Sequence, residues 1–200
     1  MNISGALKAI SCASALALVS SGCLTSAPPQ PKSWVVSASR KQKVEVDLSK
    51  TAKLGSITVA APYDKASLAV RRADGSVAFD AYNAFASSPA ALLRTPLATL
   101  LGGSGCFGLV VPSSGTTVRT GTTIEAVVDD ISLDCREQGS RVARVSLSLS
   151  VIENRSLVEI LYGDGSADAA SGDYSAAFSE AFEKAVSSAI ASSASLSGRK

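Results

Sequence analysis

Three aspartates crowd one short stretch of this chain, Asp129, Asp130 and Asp134, and grouped carboxylates are the residues that split their pKa values to act as general acid and base. Strand parity divides them. In a regular extended run Asp129 shares a face with Val127, Ile131 and Leu133, while Asp130 and Asp134 point the other way. The group therefore reads as a solvated face plus one inward or edge-protecting charge. Asp164, Ser166 and Asp168 mimic the start of a calcium loop, but the glycine and closing glutamate of that motif are missing. Gly102, Gly103 and Gly105 follow a helical pattern rather than a strand, which makes them a helix stop and not a phosphate cradle. The chain has no histidine, so Ser-His-Asp and Cys-His nucleophiles, His-ligated zinc and a haem on a proximal histidine are excluded. The expectation is a protein with no catalytic residue, no metal site and no cofactor.

Composition narrows the class further. The 200 residues carry 19 Lys plus Arg against 17 Asp plus Glu, a formal net charge of +2, with 46% apolar, 18% charged and 5% aromatic residues. This is a globular balance, and it offers neither the electrostatic footprint nor the stacking platforms of a nucleic-acid binder. Length suggests one domain.

The chain opens on an export signal. Lys8 is the single charge of the n-region, Ala9 to Val19 is an apolar stretch too short to span a bilayer, and Ser20, Ser21 and Gly22 precede Cys23. Gly22-Cys23 resembles the lipobox of bacterial lipoproteins, in which the cysteine is acylated and becomes the mature N-terminus. Ser20 stands where that family favours an aliphatic residue, and the alternative is an ordinary secretory signal cleaved nearby. Residues 1–22 are thus expected to be a signal peptide and Cys23 the lipidation site. Leu24 after the cysteine, where lipoproteins retained in the inner membrane of enteric bacteria carry Asp, implies the outer membrane. Several acyl chains, at about 0.8 kcal/mol per buried methylene, make a stable anchor.

From Cys23 to residue 50 the reading is a tether: Pro28, Pro29 and Pro31 lie among small polar residues, and the basic cluster Lys32, Arg40, Lys41 and Lys43 near Trp34 is relieved by Glu45 and Asp47. One α/β (α+β) domain is expected over 51–197, an antiparallel β-meander packed by two helices. LGSITVAAP is a buried strand closed by Pro62; LAVRR and VAFDAY flank Asp74-Gly75, a hairpin signal of type I′. Ser88-Pro89 starts a helix that places Leu93, Leu97, Leu100 and Leu101 on one face, with Pro96 expected to kink it or delay its regular part to Thr95. Strands follow at Phe107 to Val111, Ile124 to Cys135, Arg141 to Ile152 and Leu157 to Tyr162. A last helix, capped by Asp173, runs from Tyr174 to Ser193.

Cys106 and Cys135 remain once the signal is set aside. In an oxidising compartment a disulfide between them is expected, closing a loop of 28 intervening residues. The alternative, a reactive thiol, lacks a histidine to activate it.

The ordered set of lipoprotein signal, linker, LGSITVAAPYD, the VAFDAYNAFASSP segment leading into a Leu-rich helix, meander and terminal Ala/Phe helix resembles the ABC-type transport auxiliary lipoprotein family. Its members serve the Pqi and related MCE systems that move lipids across the Gram-negative envelope. The likeness covers about Leu54 to Ser193, and its most telling piece is Tyr82 to Ala86. There Phe85 replaces the family's usual Trp, and Ser87 stands where an acidic residue is common. What the resemblance implies is a non-enzymatic, lipid-anchored subunit on the periplasmic face of the outer membrane, docking on an MCE-domain periplasmic protein, with phospholipid as a candidate ligand. Tyr82 and Phe85 are the expected partner-binding residues; the alternative for Phe85 is packing onto the helix after Ser88. The competing class is an accessory lipoprotein for envelope assembly or cell-wall synthesis.

Overall fold

In chain order the elements are strands β1 (Lys32–Trp34), β2 (Thr51–Val59), β3 (Ser67–Arg72) and β4 (Val77–Phe85), helix α1 (Pro89–Gly103), strands β5 (Leu109–Pro112), β6 (Thr122–Cys135), β7 (Val142–Glu153) and β8 (Ser156–Asp168), and helix α2 (Tyr174–Ala191). The computed structural model describes residues 30–39, 50–112 and 120–193. The signal peptide, Cys23 and most of the tether lie outside the described residues.

Strand β6 is the spine of a single eight-stranded sheet. Along one edge β7 pairs with it antiparallel from end to end, and β8 pairs with β7. Along the other edge two strands lie in tandem. β2 runs parallel to the first half of β6, and β3 runs parallel to its last three residues, Leu133 to Cys135. β5 extends the sheet from β2 in parallel; β4 pairs antiparallel with β3, and β1 lies parallel to β4 at the rim. The expected class, one sheet with two helices, is the observed one. The sheet is mixed: β6, β7 and β8 form the meander, whereas β1, β2, β3 and β5 each take a parallel neighbour.

The local chemistry explains the turns. Glu153 faces Ser156 across a two-residue turn in which Asn154 and Arg155 have φ of 50° and 70°, the left-handed pair that a type I′ hairpin requires. The Asp74-Gly75 hairpin is built otherwise. Arg72 receives a hydrogen bond from the Gly75 N–H at 3.0 Å and donates to the Ser76 carbonyl at 2.9 Å, and only Gly75 has positive φ, at 82°. This is the three-residue loop in which a left-handed residue follows a tight turn.

Alternation in β7 buries Val145, Leu147, Leu149 and Val151 on the face covered by the helices. α1 starts at Pro89, where a missing N–H costs nothing, and runs unbroken through Pro96. Pro96 is buried with Leu93, Leu97 and Leu101, so the helix absorbs the proline rather than restarting beyond it. α2 turns Phe178, Phe182 and Val186 and the row Ala177, Ala181, Ala185 and Ala189 inward. The Asp173 carboxylate caps it by accepting from the Ala176 N–H at 3.0 Å. Gly163 and Gly165 of β8 lie under that alanine row. A Cβ on Gly163 would stand 2.8 Å from the Ala189 nitrogen, and one on Gly165 would stand 2.6 Å from the Ala185 nitrogen. Among the described residues no helix is long and apolar enough to cross a membrane.

The domain begins earlier than the sequence reading places it. Lys32 to Trp34, assigned to the tether, is a strand of the sheet. Trp34 meets Tyr174 edge to face at 5.4 Å between ring centroids, donates from Nε1 to Asn83 Oδ1 at 3.0 Å, and is followed by the buried Val36.

Candidate functional site

With both helices on one face, the other face of the sheet is open, and its two halves differ in chemistry. Across the first half, register places Val127, Ser148 and Tyr162 in one row, Glu125, Ser150 and Ile160 in the next, and Thr123, Ile152 and Leu157 beyond. The serines of β7 leave the larger side chains on either side standing proud: Val127 is 38% exposed, Ile160 42%, Leu157 58% and Tyr162 68%. Across the second half the rows are charged, with Asp130, Ser146 and Asp164 together, then Ser132, Arg144 and Ser166, and Asp134 beside Arg71.

A β-bulge creates the change. The pairing of β6 with β7 slips between Val128 and Asp130, leaving Asp129 as the extra, exposed residue. One added residue exchanges the two faces of the strand beyond it. Hence Val127 faces outward, Ile131 and Leu133 join the core, and the parity expected for Asp129 with those three is overturned. Asp130, Ser132 and Asp134 lie on the open face yet are buried, with Arg71 of β3, Arg144 of β7 and Arg136 just after β6 paired to the two aspartates.

Asp134 is held from two sides. Arg136 donates from Nε at 3.0 Å to Oδ1 and from Nη2 at 2.7 Å to Oδ2, while Arg144 Nε reaches Oδ2 at 2.6 Å. Its carboxyl lies well below the usual carboxylate range, first because of the hydrogen bonds from Arg136 and despite the opposing effect of burial. The same pairing pushes the Arg136 guanidinium up. Asp130 has one partner, Arg71 Nη1 on Oδ2 at 3.1 Å; its Oδ1 and the Ser132 hydroxyl are buried with none. Ser146 donates to Asp164 Oδ1, and Lys184 bridges from α2 to the Ser166 carbonyl at 3.0 Å and to Glu180 at 2.8 Å. The supposed calcium-loop residues Asp164, Ser166 and Asp168 are therefore strand residues. Among the described residues no three Cys, Asp or Glu side chains are grouped to hold a metal ion.

The docking pair divides. Tyr82 is 47% exposed on β4, but Phe85 is 4% exposed and packs edge to face against Phe178 at 5.2 Å. Phe85 is core. Its ring partner lies on α2, far along the chain.

The Cys106–Cys135 disulfide is also overturned: both are free thiols, Cys106 buried and Cys135 half-buried. Register shows why. Leu109, just after Cys106, sits beside Thr51, and its neighbour Ala52 pairs with Thr122 at the start of β6. Cys135 ends that strand, about 40 Å away at 3.3 Å per residue, whereas a disulfide needs Cα atoms within about 7 Å. Burial raises the Cys135 thiol pKa.

No protein-family model matches this chain, and no curated protein does. Among solved structures, protein XCC0632 from Xanthomonas campestris, of the family DUF330, superposes with a TM-score of 0.54 at 15% identity, covering 78% of this chain and 86% of that one. A second structure, described as an uncharacterized protein, gives a TM-score of 0.45 at 14% identity over 65% of this chain and 79% of that one. The first likeness shows a shared fold.

Proposed function

We propose that this chain is a non-catalytic, lipid-anchored auxiliary subunit of an MCE/ABC-type lipid transport system, held by Cys23 on the periplasmic face of the outer membrane. It acts by docking on an MCE-domain periplasmic partner. The observation that supports a docking role is β8. It is 13 residues long, pairs among the described residues with β7 alone, and displays Leu157, Val158, Ile160 and Tyr162 to solvent. A long apolar edge with unused main-chain donors and acceptors is what an incoming extended segment needs: backbone bonds give affinity, and alternate side chains give selectivity. The contact accordingly moves from Tyr82 and Phe85 to β8, and the occupant is an extended strand of the partner.

A photo-crosslinking residue at position 162, with one at position 82 for comparison, tests this in intact envelopes. The expected result is an adduct from position 162 with an MCE-domain protein. An adduct with a cell-wall synthase or an outer-membrane assembly factor would transfer the reading to envelope assembly, and crosslinking from position 82 alone would overturn the role of β8.

A further inference from the structure

The charged half of the open face encloses a cleft of about 380 Å³ lined by Arg71, Asp130, Arg144, Asp164 and Lys184. We propose that it binds a small zwitterion, a molecule that carries an oxyanion close to an ammonium group. Three cations meet two carboxylates there, and the internal pairings leave both signs unfinished. Arg71 uses one nitrogen on Asp130, Arg144 uses Nε on Asp134, and Lys184 uses two of its three donors on Ser166 and Glu180. A guanidinium has five N–H donors, so both arginines keep donors in reserve. These side chains are 34%, 44% and 53% exposed, within reach of a solute. Together they form a receptor for a phosphate or carboxylate.

The opposite demand comes from the floor. Asp130, which lines the cleft, is 8% exposed, and its Oδ1 has no partner. A buried carboxylate oxygen without a donor is costly, and the missing group is an N–H or O–H. A bare anion would satisfy the cations while crowding the Asp130 charge. A bare amine would do the reverse. Only a molecule bearing both groups completes the network, and this requirement is independent of docking along β8.

Calorimetric titration of the full-length protein with O-phosphoethanolamine, inorganic phosphate and ethanolamine tests the inference. O-phosphoethanolamine should bind at least about tenfold more tightly than either fragment, a difference of ~1.4 kcal/mol. Lys184→Gln, a change at an exposed side chain, should weaken it by a similar factor, and Asp130→Asn should bring its affinity down toward that of phosphate. Vesicles of phosphatidylethanolamine that compete with the soluble probe would assign the natural source to a lipid headgroup; failure to compete, with the soluble probe still bound, would assign it to a free zwitterion. Equal affinity for phosphate and O-phosphoethanolamine would reduce the cleft to an anion site. The absence of binding at millimolar concentration would mean that solvent alone completes Asp130, and either result would overturn the proposal.

Discussion

Replacing Gly165 by alanine puts a methyl group where the backbone of α2 already lies. The new Cβ would fall far inside van der Waals contact with the Ala181 carbonyl oxygen and 2.6 Å from the Ala185 nitrogen, where ordinary contact begins at 3.4 Å. The helix must retreat by about 0.8 Å at that nitrogen, the difference of 3.4 and 2.6, and further at the carbonyl. A gap of about 0.5–1 Å forfeits a quarter to a half of the dispersion attraction across it, and Phe178, Phe182 and Val186 ride on the same helix. Overpacking of this kind costs about 1–3 kcal/mol. Alanine in a strand interior otherwise gains about 0.5–1 kcal/mol over glycine, so the two effects have opposite signs. We expect Gly165→Ala to lose about 1 kcal/mol net in urea unfolding followed by circular dichroism. Gly121→Ala, whose Cβ meets only Asn154 Oδ1 at 3.5 Å, should be neutral or stabilising. One retreat of the helix serves both glycines, so Gly163→Ala with Gly165→Ala should cost less than the sum of the single changes, by roughly 1 kcal/mol. A Gly165→Ala protein as stable as the parent would refute the close seating of α2 on β8.

Phe85→Ala should cost about 3–4 kcal/mol of stability while leaving crosslinking from position 162 intact in the folded fraction, the reverse of what an exposed docking aromatic would do. Asp173→Ala removes the cap on α2 and should cost about 1 kcal/mol, read from the shift in urea midpoint. Asp134, with its folded pKa depressed, contributes stability above the ordinary aspartate pKa of about 3.9 and loses it as pH falls through the lower folded value; the stability gap between the parent and Asp134→Asn should therefore shrink steadily from pH 5 to pH 2, and a constant gap would contradict the pairing with Arg136 and Arg144. Peptide mapping after alkylation without reductant should find Cys106 and Cys135 both modified in the unfolded chain, and a linked pair of peptides would contradict the register of β2 with β6.

What the sequence made legible was whatever a local pattern encodes. Alternation from Val145 to Val151 announces β7 and its buried face, and Asp173 ahead of an Ala/Phe period announces α2. The failures share one cause, contact between residues distant in the chain. The bulge at Asp129 leaves no residue signature, so parity counted through it wrongly groups Val127 and Asp129 with Ile131 and Leu133. Phe85 sits in a segment that looks too polar to bury it, because Phe178 arrives only with the last helix. The sequence reading ends β8 at Tyr162, whereas the strand runs on through Gly163 and Gly165 to Asp168; glycines in a run weaken its strand signal. One signal for the longer strand was available: the alanine row at four-residue spacing in α2 needs an equally small surface to sit on. The pairing of the two cysteines rests on compartment and count alone, and neither reveals that β5 and β6, the strands between them, are two parallel additions to β2.

The seam between β1 and α2 has a further consequence for how the chain is made. The segment just after β1 is fastened by groups made much later: Ser175 Oγ donates to the Val35 carbonyl at 2.7 Å across 140 residues, and the Ser37 N–H donates to Ser179 Oγ at 2.9 Å across 142. A chain that emerges N-terminus first can pair β6 with β7 and β8, and β1 with β4, as soon as they appear, but the bonds at Val35 and Ser37 wait until α2 is made. Contacts of such range are slow to form. A nascent chain halted before Tyr174 would therefore leave Val35 and Ser37 unfastened beside an uncovered apolar sheet, the form of this protein most in need of a chaperone.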